Sequence, residues 1–94
     1  MNESTIVRLI KQLDVTDLSG EKVMIDFSTG KYFLLKGAAN EIWDFLTSAQ
    51  KDGLTIGSIR DKLLEVYDID ADTCLSSVTE FLGQMKNNGF VELI

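Results

Sequence analysis

The chain has 94 residues, 45% of them hydrophobic, with a net charge of −6, one cysteine, no proline and no histidine. That length and apolar content predict one folded domain over residues 1–94, with a modest core. The composition excludes an internal disulfide, leaves Cys74 unable to hold a structural zinc alone, and removes the commonest metal ligand and general base.

No apolar run approaches the ~18 residues needed to cross a bilayer, and no signal-peptide pattern opens the chain, so no membrane association and a cytoplasmic location are expected. The acidic balance opposes a general nucleic-acid footprint, which needs clustered Lys and Arg. It equally favours a basic partner, whose encounter it would speed at low salt. Solubility alone also accounts for it.

In chain order, Thr5–Leu13 (TIVRLIKQL) is β-branched and apolar enough for a strand, although its imperfect alternation leaves a helix open. Asp14–Glu21 reads as a polar connection with Ser19-Gly20 as its turn. Lys22–Phe27 and Lys31–Lys36 then form a β-hairpin through Ser28-Thr29-Gly30. Val23, Ile25 and Phe27 alternate on one side of its first strand, and Phe33 and Leu35 on one side of its second. Tyr32 and Leu34 make the other face of the second strand apolar too. Such a strand either sits under a helix or waits for a partner.

A helix over Ala38–Ala49 follows, turning Ala39, Ile42, Trp43 and Leu46 inward, with Trp43 as a core anchor. Lys51-Asp52-Gly53 breaks it. Thr55 caps a second helix predicted to run through Tyr67, with Ile56, Ile59, Leu63 and Val66 or Tyr67 inward. Gly57 in its first turn costs about 1 kcal/mol relative to alanine if fully helical. Asp70 or Asp72 caps a third helix carrying Leu75, Val78, Leu82 and Met85 on one stripe, with Cys74 and Phe81 beside it. Gly89 suits the left-handed position after that helix, and Phe90–Ile94 is an apolar tail that docks on the core. The predicted fold class is α+β and winged-helix-like: a three-stranded antiparallel sheet followed by three helices.

Few residues suggest chemistry. Asp68, Asp70 and Asp72 mimic the start of a calcium loop, but Thr73 and Thr79 stand where its glycine and glutamate belong, so helix capping is the better reading. Cys74 reads as a small buried hydrophobe with no base beside it. Lys22, Lys31 and Lys36 read as solvating the hairpin. No cofactor is expected, and no phosphate-cradling glycine motif or nucleophile–base pair supports an enzyme.

The ordered set DFSTGKYFLLKGAANEIWDFL, a T-x-x-S-I-x-x-x-L helix, YDIDAD and a V-x-x-F-L-x-x-M-x-x-x-G-F-V ending resembles the PqqD-like proteins. The residues that carry the resemblance include Asp26, Gly30, Tyr32, Leu35, Ala39, Trp43, Leu63, Tyr67, Asp70, Val78, Phe81, Leu82 and Gly89. These are small peptide-recognition domains of ribosomal peptide natural-product pathways, and the stand-alone versions of lasso-peptide biosynthesis are the most similar. One departure is Ser77, where such proteins often carry an acid.

The resemblance implies that a precursor's leader peptide adds as a strand to the edge at Lys31–Lys36, in the cleft with the last helix. It places Lys31, Tyr32, Phe33, Leu34 and Leu35 below the peptide and Cys74, Ser77, Val78, Phe81 and Met85 above it. By analogy, the partners are a leader peptidase of the transglutaminase-like cysteine protease type and an ATP-dependent cyclase. The same apolar edge would also suit a homodimer through the second hairpin strand. A winged-helix DNA-binding regulator is the alternative the fold class allows. Against it, Asp70, Asp72 and Glu80 on the last helix face a single Lys86, with no arginine to read guanine.

Overall fold

The computed structural model describes residues 2–11, 13–49 and 52–94. Its elements run β1 (Ile6–Leu9), β2 (Asp14–Leu18), β3 (Glu21–Asp26), β4 (Lys31–Lys36), α1 (Ala38–Ala49), β5 (Leu54–Thr55), α2 (Ile56–Leu64), α3 (Ala71–Asn87) and β6 (Val91–Leu93). A three-stranded antiparallel sheet in the order β2-β3-β4 and three helices give the α+β, winged-helix-like class expected.

The first strand of that sheet is not where the sequence places it. Residues 14–18, read as a polar connection, form its outer strand, while β1 joins β5 and β6 in a second three-stranded sheet, order β5-β1-β6. The reason is physical. In Asp-Val-Thr-Asp-Leu only Val15 is half-buried, so the apolar alternation that marks a strand is nearly absent. Pairing with β3 holds it instead, and its Asp17 stands opposite Lys22. The strand expected over Thr5–Leu13 ends at Leu9.

The hairpin's inner face also differs from the alternation in the sequence. The register sets Met24 opposite Phe33 and Val23 opposite Leu34. Because Phe33 and Leu35 point to the core, Lys22, Met24 and Asp26 must follow them inward. Phe27 is left 75% exposed. Two charges are thereby buried, and each is neutralised. The Lys22 ammonium lies 2.8 Å from Asp44 and also bonds Asp17, so it does not solvate the hairpin as expected. Asp26 accepts from Lys11 Nζ at 2.8 Å and from Ser28 Oγ at 2.7 Å.

Ile42, Trp43 and Leu46 of α1 are buried as predicted, and Phe90 sits edge-on to Phe33 at 5.1 Å and to Trp43 at 6.5 Å. Of the predicted break after α1, Lys51 lies outside the described residues. Gly53 has φ +72°, and a Cβ there would stand 2.5 Å from the Val7 carbonyl oxygen, so only glycine fits. Thr55 caps α2 by accepting from the Ser58 N–H. Gly57 lets the Glu3 backbone approach: its N–H donates to the Glu3 carbonyl at 3.0 Å, which accounts for a glycine in a helix's first turn. The helix stops at Leu64 rather than Tyr67: the Val66 amide bonds the Leu63 carbonyl three residues back, which tightens the last turn. Asp70 caps α3, Gly89 follows it at φ +78°, and the tail forms β6.

Candidate functional site

The β2-β3-β4 sheet has two free edges, and they are not alike. The β2 edge carries Asp14 and Asp17, and charges on an edge discourage further pairing. The β4 edge, Lys-Tyr-Phe-Leu-Leu-Lys, has an apolar centre: Tyr32 is 76% and Leu34 50% exposed on the outer face. Phe33 and Leu35 point inward, Phe33 half-buried and Leu35 buried. The two faces seen in the sequence are real, and only one is covered.

Where β4 ends, a groove of about 240 Å³ opens. One wall is α3, through Cys74, Ser77, Val78 and Phe81; the opposite wall is Ala38, Ala39 and Ile42 of α1. Leu63, Tyr67 and Ile69 close one side, and among the described residues Lys36 is the one charged side chain in the lining. The small side chains that open α1 leave the space. Spacing along α3 supplies its wall: positions 74, 77, 78 and 81 fall on one side of a helix with 3.6 residues per turn.

The sequence-predicted residues divide accordingly. Cys74, Ser77, Val78 and Phe81 come together around the groove. Lys31, Tyr32, Phe33, Leu34 and Leu35 lie along the neighbouring edge strand, outside the groove lining. Met85 is a core residue, 2% exposed, whose carbonyl accepts from the Phe90 N–H. Lys36, read as the end of the edge strand, also reaches the groove, and Ala38, Ala39, Ile42, Leu63, Tyr67 and Ile69 of its lining were missed. Ile69 gave no signal in the sequence, because a single apolar residue at the surface is ordinary, and it is 44% exposed at the groove's rim.

The groove is binding rather than reactive in character. Burial pushes the Cys74 thiol up, and its Sγ lies 3.8 Å from the Arg60 carbonyl, so it is a thiol at neutral pH. Tyr67 is likewise pushed up, by burial first and then by the Glu41 carboxylate. The Asp70 carboxyl accepts from the Thr73 N–H at 2.8 Å and the Thr73 hydroxyl at 2.7 Å, which lowers its pKa and commits it to capping. Among the described residues no group of His, Cys, Asp and Glu is placed to hold a metal, and no helix is long and apolar enough to cross a membrane.

A larger depression, about 1130 Å³, lies between the two sheets, lined by Leu9, Ile10, Ile25, Phe27 and Trp43 among others. Across its polar rim Arg8 pairs with Glu92, and Lys11 with Asp26 and Ser28. It offers a peptide no strand edge of the kind β4 does.

A family model described as "Coenzyme PQQ synthesis protein D (PqqD)" matches residues 21–91, well over half of the chain. The chain belongs to the PqqD family. PqqD-like proteins are recognition elements of ribosomal peptide pathways, binding adaptors without catalytic activity of their own, and the enzyme reading falls away with that membership. Among solved structures, this PqqD-family chain is similar to TbiB1 in complex with the TbiA(beta) leader peptide. The TM-score is 0.77 at 22% identity, covering 90% of this chain and 94% of that one. At that identity the likeness establishes the fold. No curated protein matches the chain.

Proposed function

We propose that this protein binds the leader peptide of a ribosomally synthesised precursor and presents it to maturation enzymes. The leader adds as a strand to the free edge of β4, antiparallel or parallel to it, and lies in the cleft with α3. Main-chain hydrogen bonds to β4 hold the leader's backbone, and the groove beside Lys36 takes one of its apolar side chains. Residues 1–94 act as one recognition domain, a reading supported by the single core to which both β1 and β6 contribute Val7 and Val91.

The observation that carries this reading is the uncovered apolar edge of β4 beside a side-chain-sized groove. Lys31 to Leu35 supply the edge, and Cys74, Ser77, Val78 and Phe81 the helix wall. Ser77, exposed on α3, offers a hydroxyl where an acid would offer an ion pair. About four ladder bonds at ~1 kcal/mol and two anchors at ~2 kcal/mol give roughly 8 kcal/mol gross. Ordering a flexible leader subtracts ~2–5 kcal/mol, so affinity reaches micromolar only with help from charge. The net charge of −6 supplies it to a basic leader.

The sequence resemblance extends the reading to a lasso-peptide pathway in the cytoplasm. There the partners are a transglutaminase-like leader peptidase and an ATP-dependent cyclase. The DNA-binding alternative is disfavoured by α3, whose exposed Asp72 and Glu80 would face phosphates.

Fluorescence polarisation with labelled leader peptides from neighbouring precursor genes, and duplex DNA as control, tests the proposal. Saturable leader binding that weakens clearly as salt rises is expected. Salt-sensitive DNA binding without leader binding would replace it with the regulator.

A further inference from the structure

We infer that the groove beside β4 selects a leader with an acidic residue next to its apolar anchor, and that Lys36 reads that carboxylate. This rests on the reading of β4 as the peptide-binding edge. In a chain of net charge −6 the groove is a local exception. Among the described residues Lys36 is the one charged side chain in its lining, and the rest are apolar or neutral. Asp68 and Asp70, on either side of Ile69 in the sequence, are not part of that lining, and Asp70 is committed to capping Thr73. Ser77 puts a neutral hydroxyl in the α3 wall.

Lys36 is free for that task. Its register partner across the hairpin is Glu21, but their charged atoms stand 3.9 Å apart and the lysine side chain is 66% exposed. A pair that long and that wet holds loosely. Lys22 is the contrast, buried between Asp17 and Asp44. As the last residue of β4, Lys36 stands where the strand edge meets the groove. A leader strand on that edge sends successive side chains to opposite faces. Leu35 faces inward, so Lys36 belongs to the outer face with Tyr32 and Leu34. The leader residue it meets is therefore the sequence neighbour of the one that enters the groove. Anchor and acid are adjacent.

The long-range field and the local cation make opposite predictions for one substitution. Lys36→Gln removes one cation and takes the net charge from −6 to −7. Through the field alone, a leader that is basic overall binds this variant more tightly. Through the local pair, it binds more weakly, because its carboxylate loses the only opposite charge in the groove. The two effects are compatible in one leader: a basic chain that carries one acid beside its anchor.

The test is a double-mutant cycle read by fluorescence polarisation. Its probes are the labelled leader of the neighbouring precursor gene and copies with each Asp or Glu in turn replaced by Asn or Gln. Lys36→Gln, at an exposed position, should weaken the unaltered leader by about fivefold, the upper range for an exposed pair. One amide-bearing copy should bind the wild type as weakly and lose nothing further on Lys36→Gln. Ser77→Asp, exposed on α3, should also weaken the unaltered leader by setting a carboxylate in the groove wall. Equal or tighter binding by Lys36→Gln, a leader without an acid, or no acid coupled to Lys36 overturns the inference and leaves the adaptor standing. No leader binding by the folded wild type defeats the adaptor and this inference with it.

Discussion

Asp26 and Lys22 show what a single residue can hide. Both are charged, and both are buried on the face the apolar pattern assigns to solvent. Alternation favours Val23, Ile25 and Phe27 because it weighs only hydrophobicity. The register is decided across the hairpin, by Phe33 and Leu35, and by partners Lys11, Asp17 and Asp44 that lie elsewhere in the sequence. The Lys11 hydrogen bond, then that of Ser28, holds the Asp26 carboxyl down at about 2. A lowered carboxyl stabilises the fold above the ordinary value near 4 and loses that contribution as pH falls through its folded value. Thermal unfolding between about pH 5 and pH 2 should therefore show the wild type losing Tm more steeply than Asp26→Asn, which starts lower and is flatter. For Lys22, burial alone would lower the ammonium, but hydrogen bonds to Asp17 and Asp44 outweigh it and raise the pKa. Its contribution is therefore present at neutral pH and lost only in strongly alkaline solution.

The elements were legible where a local signal makes them. Thr55 and Asp70 begin helices because their side-chain oxygens accept free amides, and Gly89 ends one because it reaches positive φ. Trp43 was legible as core for the same reason, its spacing with Ile42 and Leu46. What the sequence hid is non-local: which sheet β1 joins, and that Asp14–Leu18 is a strand. Met85 and the groove illustrate the same limit, because a helix stripe does not say where core ends and cleft begins. Thr55→Ala should cost about 1 kcal/mol in urea unfolding through the lost cap. Leu82→Ala, at a fully buried position of α3, should cost roughly 2–5 kcal/mol. Phe81→Ala at the groove and Leu34→Asp at the edge should each weaken leader binding by about tenfold, or ~1.4 kcal/mol. Circular dichroism should show both variants folded; unchanged affinity in folded variants would move the site elsewhere.

At the scale of the whole molecule, the β4 edge of the β2-β3-β4 sheet lies open and apolar beside a small groove walled by α1 and α3. The central claim is that the leader becomes the next strand of the β2-β3-β4 sheet. Residue-resolved amide hydrogen exchange, with and without a saturating leader peptide, tests it most directly. The account predicts that protection rises at the outward-facing amides of Lys31–Lys36, with smaller changes along α3 from Cys74 to Phe81 and none at β2. Protection that appears along Asp14–Leu18, or around Ile10 and Phe27 in the depression between the sheets, with β4 unchanged, would contradict it.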